Sequence, residues 1–377
     1  MNQHYQVCTR CVMDTSARDI VFNSDGVCNY CTDLEAGTKN TLGLAPEEKE
    51  RRLQALVAEV KAQGKGKPYD CIVGVSGGVD SSWVLVKAVE LGLRPLAVHM
   101  DNGWNSELAQ NNIENLINGL GVDLYTHVID WHEYRKLMQA FFDANVVDIE
   151  LLYDNAMTAV NYQQAAKYGL KHLLAGTNEA TEGMRIPRSW NWFKFDKENI
   201  LDISKKFSDV KIKTFPLFGV LDYIRFALVK KVHWVSVLDL MEFNKFSAMK
   251  KLQEKYGYKP YPYKHYESVF TRFYQGYILP VKFGIDKRRV HLSTLIVTGQ
   301  ITREIAIEDL KNIPYPSRYE LEEDKAYFLK KMGWVESDLD AYLKAGRVEH
   351  DYYRTSYYKW KKLTGFYRSV LKSGSSE

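Results

Sequence analysis

Residues 69–82 read YDCIVGVSGGVDSS, and this stretch decides the fold. Its first half is a short apolar run typical of a buried strand, and a helical pattern begins directly after it. Gly77 and Gly78 allow a tight turn that brings main-chain N–H groups toward an anion at the N-terminus of the helix. Serine hydroxyls on both sides can donate to phosphate oxygens, and the loop lacks the Lys of the Walker pattern. The stretch therefore predicts a phosphate-binding loop.

The sequence that follows alternates helical stretches with short apolar runs. The helical stretches are SSWVLVKAVELG and NSELAQNNIENLINGLG, and the apolar runs are RPLAVHM, DLYTHVI and a fourth strand in KHLLAGTNEATEG. This alternation predicts an α/β domain with a parallel sheet and crossover helices. Ligands bind at the carboxyl edge of such sheets, so we expect a site where the second and fourth strands end.

Four of the five cysteines form two pairs near the start of the chain, Cys8-x2-Cys11 and Cys28-x2-Cys31. Two such pairs can deliver four thiolates to one tetrahedral zinc ion, so we predict a structural zinc ribbon in residues 1–40. An iron-sulfur cluster accepts the same four thiolates and stays an open alternative. The fifth cysteine, Cys71, lies in the first predicted strand, where we expect a core residue.

The 377 residues are 45% hydrophobic and 26% charged, enough for two domains with a small appendage. We place the ribbon at 1–40, the sheet domain at 41–210 and a mainly helical region for substrate or partner binding at 211–377. A net charge of only +4 does not favour a non-specific nucleic-acid binder. No apolar run approaches the roughly 18 residues of a membrane span, and the opening residues do not resemble a signal peptide. We therefore expect a cytoplasmic protein.

A basic and aromatic segment spans residues 245–291, with eleven Lys and Arg against three acids. Basic groups bind phosphate and carboxylate, and rings stack on bases or sugar faces. Either a nucleic acid or a small nucleotide-linked anion would fit such a segment. The predicted substrate contacts are Lys264, Arg272, Lys282, Lys287, Arg288 and Arg289.

The heptapeptide SGGVDSS resembles the PP-loop of the ATP pyrophosphatases, whose domain is Rossmann-like, of the adenine nucleotide alpha hydrolase type. Together with the cysteine pairs and residues 264–306, it makes the chain similar to the N-acetyl sugar amidotransferases of bacterial O-antigen biosynthesis, the WbpG type. This resemblance implies ATP and Mg2+ as cofactors, with AMP transferred to the substrate and pyrophosphate released. The implied substrate is a UDP-linked diacetamido-mannuronic acid, one of whose acetamido groups becomes an acetamidino group.

The resemblance also implies roles for individual residues. Asp80 is expected to hold Mg2+ or to be a structural acid at the helix N-terminus, while Glu179 and Glu182 are either further metal contacts or solvated loop carboxylates. The candidate catalytic residues are Asp80 and, as an interpretation that the resemblance does not supply, His265 and Glu267 as groups near the reacting amide. The predicted nucleotide contacts are Ser76, Gly77, Gly78, Val79, Asp80, Ser81 and Ser82 of the loop, with His99, Met100, Gly176 and Thr177 at the strand ends.

The cysteine count bears on the source of ammonia. A glutaminase needs a nucleophilic Cys with a His partner or an N-terminal Cys, whereas four cysteines here are assigned to metal and residue 2 is Asn. We therefore expect a separate glutaminase subunit. The resemblance implies one like that of histidine biosynthesis, together with a cyclase-like companion. Neither a membrane nor a nucleic acid is an expected partner.

Two other functions stay open at this point. A PP-loop tRNA-modifying enzyme, a thiolase or a lysidine-type ligase, would also adenylate a carbonyl and often carries a zinc ribbon. Thiolation generally calls for further cysteines near the loop, and a tRNA ligand predicts a larger basic surface. The third hypothesis is a non-catalytic zinc-binding adaptor, which the intact phosphate loop disfavours.

Overall fold

The centre of the molecule is a five-stranded parallel sheet, as the alternating pattern predicts. The computed structural model describes residues 5–262 and 266–373. The strands are β1 (Cys71–Gly74), β2 (Pro95–Asp101), β3 (Asp123–Val128), β4 (His172–Ala175) and β5 (His233–Ser236). Their order is β3-β2-β1-β4-β5, and neighbouring strands run parallel. The chain order reverses between β1 and β4, the place where open parallel sheets bind ligands.

The sequence pattern did not predict β5. This strand has four residues, HWVS, and lies at the edge of the sheet, in register with β4 from His172↔His233 to Ala175↔Ser236. Four residues are too few for a clear period-two pattern, so its pairing with β4 is what defines it. Because β5 follows residue 211, the sheet extends into the region predicted to be mainly helical. The domain boundaries at 40 and 210 stay predictions.

Helices connect the strands and cover both faces of the sheet. The helix that begins at Pro46 contains two acids, Glu47 and Glu48, in its first turn, where they complement the helix dipole. In this half of the chain the helices are α1 (Asn29–Thr38), α2 (Pro46–Gly64), α3 (Val79–Glu90), α4 (Glu107–Leu120), α5 (Trp131–Asp143), α6 (Leu151–Lys167), α7 (Glu179–Glu182) and α8 (Lys197–Phe207).

The C-terminal region is mainly helical, as predicted, and two of its helices continue as π-helices. In the described residues, no helix is long and apolar enough to cross a membrane. The elements are α9 (Val220–Ile224) with the π-helix Arg225–Val229, the 3-10 turn Val237–Leu240, α10 (Lys245–Tyr256), α11 (Val269–Phe273) with the π-helix Tyr274–Phe283, α12 (Arg288–Val297), α13 (Arg303–Lys311), α14 (Arg318–Met332), α15 (Glu336–Lys344), the 3-10 turn His350–Tyr352 and α16 (Tyr357–Ser373).

Strand residues alternate between two apolar clusters, one on each face of the sheet. Ile72 belongs to the cluster that contains Phe141 of α5, whereas Cys71 and Val73 belong to the cluster that contains Val84 of α3. Burial on both faces explains why the strands read as continuous apolar runs. Burial also raises the pKa of the Cys71 thiol above its ordinary value. Cys71 is therefore a core residue and not an activated nucleophile.

Candidate functional site

The phosphate loop, residues 76–82, leaves β1 and enters α3 with the geometry of an anion-binding turn. Gly77 has a φ of +86°, a left-handed conformation that side chains disfavour, and Gly78 is the N-cap of α3. The Gly78 N–H donates to Ser76 Oγ at 3.3 Å, and the hydroxyl oxygens of Ser76 and Ser81 lie 3.2 Å apart. This arrangement puts hydroxyls and the N-terminus of a twelve-residue helix around one point.

Two glycines let other segments approach the loop closely. A Cβ on Gly176, directly after β4, would lie 2.8 Å from the main-chain nitrogen of Ser81. A Cβ on Gly78 would overlap Oε1 of Glu267. The end of β4 and the Glu267 carboxylate therefore both lie against the loop, although Glu267 is far away in sequence.

Carboxylates next to the loop can hold a divalent cation. Thr181 in α7 donates its hydroxyl to Asp80 Oδ2 at 3.1 Å, and both Asp80 and Glu182 line the same cavity. Carboxylate oxygens are the ligands that Mg2+ prefers in proteins, so this donor set fits Mg2+. The Glu179 carboxylate instead accepts a hydrogen bond from the Thr41 hydroxyl.

The main cavity, about 740 Å³, lies at the carboxyl ends of β1 and β4. Its size falls in the range of roughly 300 to 1,000 Å³ that is usual for small-molecule sites. α10, α11 and α12 supply further parts of the cavity wall. Of the predicted nucleotide contacts, the cavity is lined by Ser76, Gly78, Val79, Asp80, Ser81, Met100, Gly176 and Thr177.

The other predicted nucleotide contacts lie behind this lining. Gly77 forms the turn, and Ser82 is buried in the first turn of α3. The His99 ring lies between the carbonyl oxygen of Val75 and the amide of Asn105, each 2.9 Å from a ring nitrogen. Burial lowers the pKa of His99, so the ring is neutral near pH 7. His99 therefore supports the strand end from which the loop leaves.

A cluster of paired charges forms another part of the cavity wall. Lys194 Nζ lies 2.6 Å from Asp148 Oδ2 and 2.9 Å from Asp154 Oδ2. Burial opposes the charge on Lys194, but the two carboxylates raise its pKa above its ordinary value. Lys287 Nζ lies 2.7 Å from Glu150 Oε2. Both lysines line the main cavity, together with their partners Glu150 and Asp154.

Lys287 was predicted from the sequence, whereas Lys194, Glu150 and Asp154 were missed. Lys194 comes from the segment RIPRSWNWFK, whose switch to aromatic and basic residues beyond Pro187 was the available signal. Glu150 and Asp154 lie at the start of α6, where acids are commonly explained by the helix dipole alone. Only the fold brings these residues to one cavity.

Arg272 and Lys282, both predicted substrate contacts, do not line the main cavity. The Arg272 guanidinium makes a bidentate ion pair with Asp324. Lys282 Nζ donates to Asn145 Oδ1 at 3.0 Å and to the carbonyl oxygen of Ala345 at 2.7 Å. Partly buried cations need such partners, so these two residues hold helices together.

The remaining predicted cations also have protein partners, and their substrate roles stay predictions. Arg288 pairs with Asp286 at 2.8 Å, and Arg289 lies 3.0 Å from Asp14 of the cysteine region. Neither lines the main cavity. Lys264 and His265 lie outside the described residues, so their predicted roles stay predictions.

The four N-terminal cysteines converge on one point. Their sulfur atoms all lie within 4.8 Å of one another, with Sγ–Sγ distances of 3.9 Å for Cys8 and Cys31, 3.7 Å for Cys11 and Cys28, and 3.8 Å for Cys28 and Cys31. A tetrahedral zinc ion with Zn–S bonds of about 2.3 Å requires sulfur separations of about 3.8 Å. The cysteines therefore fit a single tetrahedral ion such as zinc.

The cysteine centre is attached to the wall of the main cavity. Arg303 at the start of α13 donates to the carbonyl oxygens of Cys8 and Cys11, each at 3.0 Å. The main-chain nitrogen of Val12 donates to Ser293 of α12 at 3.2 Å. Since other residues of α12 line the cavity, the cysteine centre supports that wall from behind.

Comparison with known protein families gives two matches. The NAD synthase family model matches residues 49–185, which include the phosphate loop, β1 to β4 and the α7 carboxylates. The model described as LPS biosynthesis protein WbpG-like, C-terminal domain, matches residues 267–366, which include Glu267, Lys287 and α12. No curated protein matches the chain.

Among solved structures, the NMN synthetase of Francisella tularensis is 17% identical over 59% of this chain and 100% of its own, with a TM-score of 0.30. The NH3-dependent NAD synthetase of Campylobacter jejuni is 14% identical over 59% of this chain and 100% of its own, with a TM-score of 0.29. The glutamine-dependent NAD+ synthetase of Acinetobacter baumannii is 16% identical over 69% of this chain and 43% of its own, with a TM-score of 0.31.

Proposed function

We propose that this protein amidates a nucleotide sugar. The proposal starts from its membership of the WbpG-like proteins of the PP-loop superfamily, which are ATP-utilising enzymes of amidotransferase type. It adenylates an acetamido carbonyl of a UDP-linked diacetamido-mannuronic acid and replaces the oxygen with nitrogen from ammonia. The product is an acetamidino sugar for O-antigen biosynthesis. One observation carries the proposal: a single cavity joins the phosphate loop to the charged wall of Lys194 and Lys287.

Adenylation is needed because an acetamido carbonyl is a poor electrophile with a poor leaving group. The carbonyl oxygen attacks the α-phosphorus of ATP, an O–P bond forms, and pyrophosphate leaves. Ammonia then attacks the imidate carbon and loses a proton. The C–O bond breaks, AMP leaves with the former carbonyl oxygen, and an amidine remains.

The loop residues suit the first step. The N–H groups of the loop, with the hydroxyls of Ser76 and Ser81, would bind the leaving pyrophosphate. Asp80 and Glu182 would hold Mg2+, which supplies positive charge to that leaving group. The Thr177 hydroxyl accepts from Trp234 Nε1 at 3.2 Å, so β5 fixes the side chain that faces the nucleotide.

The charged wall would contact the sugar nucleotide. Lys194 and Lys287 would bind the uronic carboxylate or the pyrophosphate of UDP in exchange for part of their contacts with Asp154 and Glu150, whose carboxylates line the same cavity. Glu267 lies against the loop, where it would accept the proton that the attacking nitrogen loses.

Ammonia would come from a separate subunit. Among the described residues, four cysteines form the metal-binding set, and Cys71 is fully buried in the core with a raised pKa. Neither a metal-bound thiolate nor a buried thiol with a raised pKa serves as a glutaminase nucleophile. We therefore propose a separate partner glutaminase. The resemblance to the amidotransferase family implies that it is of the histidine-biosynthesis type and acts with a cyclase-like companion.

The test is incubation of the protein with ATP, Mg2+, ammonium chloride and a UDP-linked diacetamido-mannuronic acid. We expect AMP, pyrophosphate and, by mass spectrometry, a sugar in which NH replaces O. Lys287→Met should raise the KM for the sugar about tenfold or more, because the charge contact between Lys287 and the sugar nucleotide is lost. Lys282→Met is the matched control, five positions away and outside the cavity.

Two outcomes would contradict the proposal. AMP formation that depends on tRNA and not on the sugar would assign the chain to the tRNA-modifying alternative. An equal rise in KM for both lysine variants, with unchanged thermal unfolding, would remove Lys287 from the substrate site.

A further inference from the structure

Three consecutive basic residues, Lys287, Arg288 and Arg289, form the start of α12. Lys287 is the N-cap and already has a helical main-chain conformation, with a φ of −63° and a ψ of −17°. Successive side chains on a helix point about 100° apart, so these three leave the helix in three directions. Of the three, only Lys287 lines the main cavity.

Each of the three cations is held by a different segment of the chain. The contacts are Lys287 with the Glu150 carboxylate at 2.7 Å, Arg288 with the carbonyl oxygen of Asp309 at 3.0 Å, and Arg289 with the Asp14 carboxylate at 3.0 Å. The three basic side chains are between 8% and 19% exposed. A largely buried cation that loses its partner is costly, so α12 cannot turn about its axis without breaking such a contact.

Arg289 lies on the face of α12 that packs against the cysteine region. It donates to the carbonyl oxygen of Val12 at 2.7 Å, and the Val12 N–H donates to Ser293 Oγ at 3.2 Å. Arg289 and Ser293 are four residues apart, which places them on one face of the helix. Ser293 and Asp14 are both buried. The cysteine region therefore occupies this face, and Arg289 is its charged link to α12.

We propose that Arg289 is a positioning residue for the sugar site: its contacts with the cysteine region hold α12 in the rotation that directs Lys287 into the main cavity. The inference rests on the proposed amidotransferase function, in which Lys287 contacts the sugar nucleotide. Arg289 itself does not touch the ligand. A small movement of the helix matters, because a displacement of about 1 Å at a substrate-positioning group can cost up to about 10²-fold in rate.

Two substitutions break the same ion pair from its two ends, Asp14→Asn and Arg289→Gln. Asp14 does not line the main cavity, so it is not a substrate contact. The KM for the UDP-sugar is measured by sugar-dependent exchange of pyrophosphate into ATP, and thermal unfolding checks each variant. Each substitution should raise this KM about fivefold, and the double variant should not exceed the larger single effect, because the two residues share one interaction.

A second background separates positioning from a merely structural role. In Lys287→Met, adding Arg289→Gln should still lower the temperature of thermal unfolding but should not raise the KM for the UDP-sugar further. Arg289→Lys keeps a cation beside Asp14 and should recover most of the wild-type KM. Arg18→Gln is the matched control, because Arg18 also joins the cysteine region to a distant residue, Glu349, at 2.9 Å. It should have the wild-type KM.

Other results overturn the inference in distinguishable ways. If Arg289→Gln raises the KM and Asp14→Asn does not, Arg289 contacts the substrate directly. If the effect of Arg289→Gln persists in full in the Lys287→Met background, Arg289 does not act through Lys287. If the wild type shows sugar-dependent exchange and neither substitution changes the KM, the ion pair is structural only. If the wild type shows no such exchange, the proposed function fails, and the positioning role fails with it.

Discussion

The phosphate loop and the basic segment 245–291 are both conspicuous in the sequence, yet they behave differently in the fold. The loop works through its own backbone: a left-handed Gly77, adjacent hydroxyls and the helix that follows directly. The basic segment owes its arrangement to distant partners, such as Asp324 for Arg272 and Glu150 for Lys287. A motif whose geometry is local can therefore be interpreted from sequence, whereas a surplus of charge cannot.

The cysteine centre offers the largest expected effect, because it links a local motif to the distant α12. Cys28→Ser should abolish stable metal binding and lower the free energy of unfolding by on the order of 5 kcal/mol. Metal analysis of the purified protein and urea unfolding measure the two effects. Cys71→Ala is the control, and it should keep the metal. Retention of one metal ion per chain in Cys28→Ser would refute the four-cysteine site.

Asp80 belongs to the phosphate loop, whose geometry depends on neighbouring residues. Asp80→Asn should lower sugar-dependent exchange of pyrophosphate into ATP about 10² to 10³-fold, since it removes a charge directed at the metal and the leaving group. Asp123→Asn is the control, because Asp123 begins β3 at the opposite edge of the sheet and accepts a hydrogen bond from Tyr69. Exchange at the wild-type rate in Asp80→Asn would exclude Asp80 from the site.

Arg272 belongs to the basic segment, whose charges are paired with residues far away in sequence. Arg272→Gln should lower the free energy of unfolding by about 3 kcal/mol, because Asp324 is left buried without its cation. The KM for the sugar should not change. Arg52→Gln, which breaks an exposed pair with Glu48, should cost less than about 1 kcal/mol in the same urea experiment. A change in KM without loss of stability would return Arg272 to the substrate site.

The smallest effect concerns Asp239, in the turn after β5. Burial raises its pKa to about 6 from 3.8, although the Glu179 N–H donates to its carboxylate. The folded state thus binds this proton more tightly than the unfolded state. Its contribution to stability is full below about pH 4 and is lost as the pH rises through about 6.

Asp239→Asn should therefore stabilise the protein at pH 7 by about 1 kcal/mol and flatten this part of the pH dependence. Urea unfolding at several pH values measures both. Asp202→Asn should do the opposite at neutral pH: burial alone would raise the pKa of Asp202, but Lys206 and the Arg354 N–H lower it. If Asp239→Asn were less stable than the wild type at pH 7, the raised pKa of Asp239 would be contradicted.

Much of the fold was predictable, and the exceptions have physical causes. Four strands, the phosphate loop and the cysteine set follow from patterns that need only neighbouring residues. β5 has too few residues for such a pattern and exists because β4 offers it a pairing edge. Lys194 was missed because a single lysine has no periodic signature.

By itself, the sequence determined the parallel sheet, the anion-binding turn and the tetrahedral cysteine set, since backbone periodicity and short spacings specify each of them. Only the tertiary structure decided which charges face the main cavity. The fold pairs other charges with partners that lie as far away in sequence as Asp14 is from Arg289, and these charges do not line the cavity. The main cavity is likewise a product of the fold, because its walls come from segments that meet only when the chain is packed.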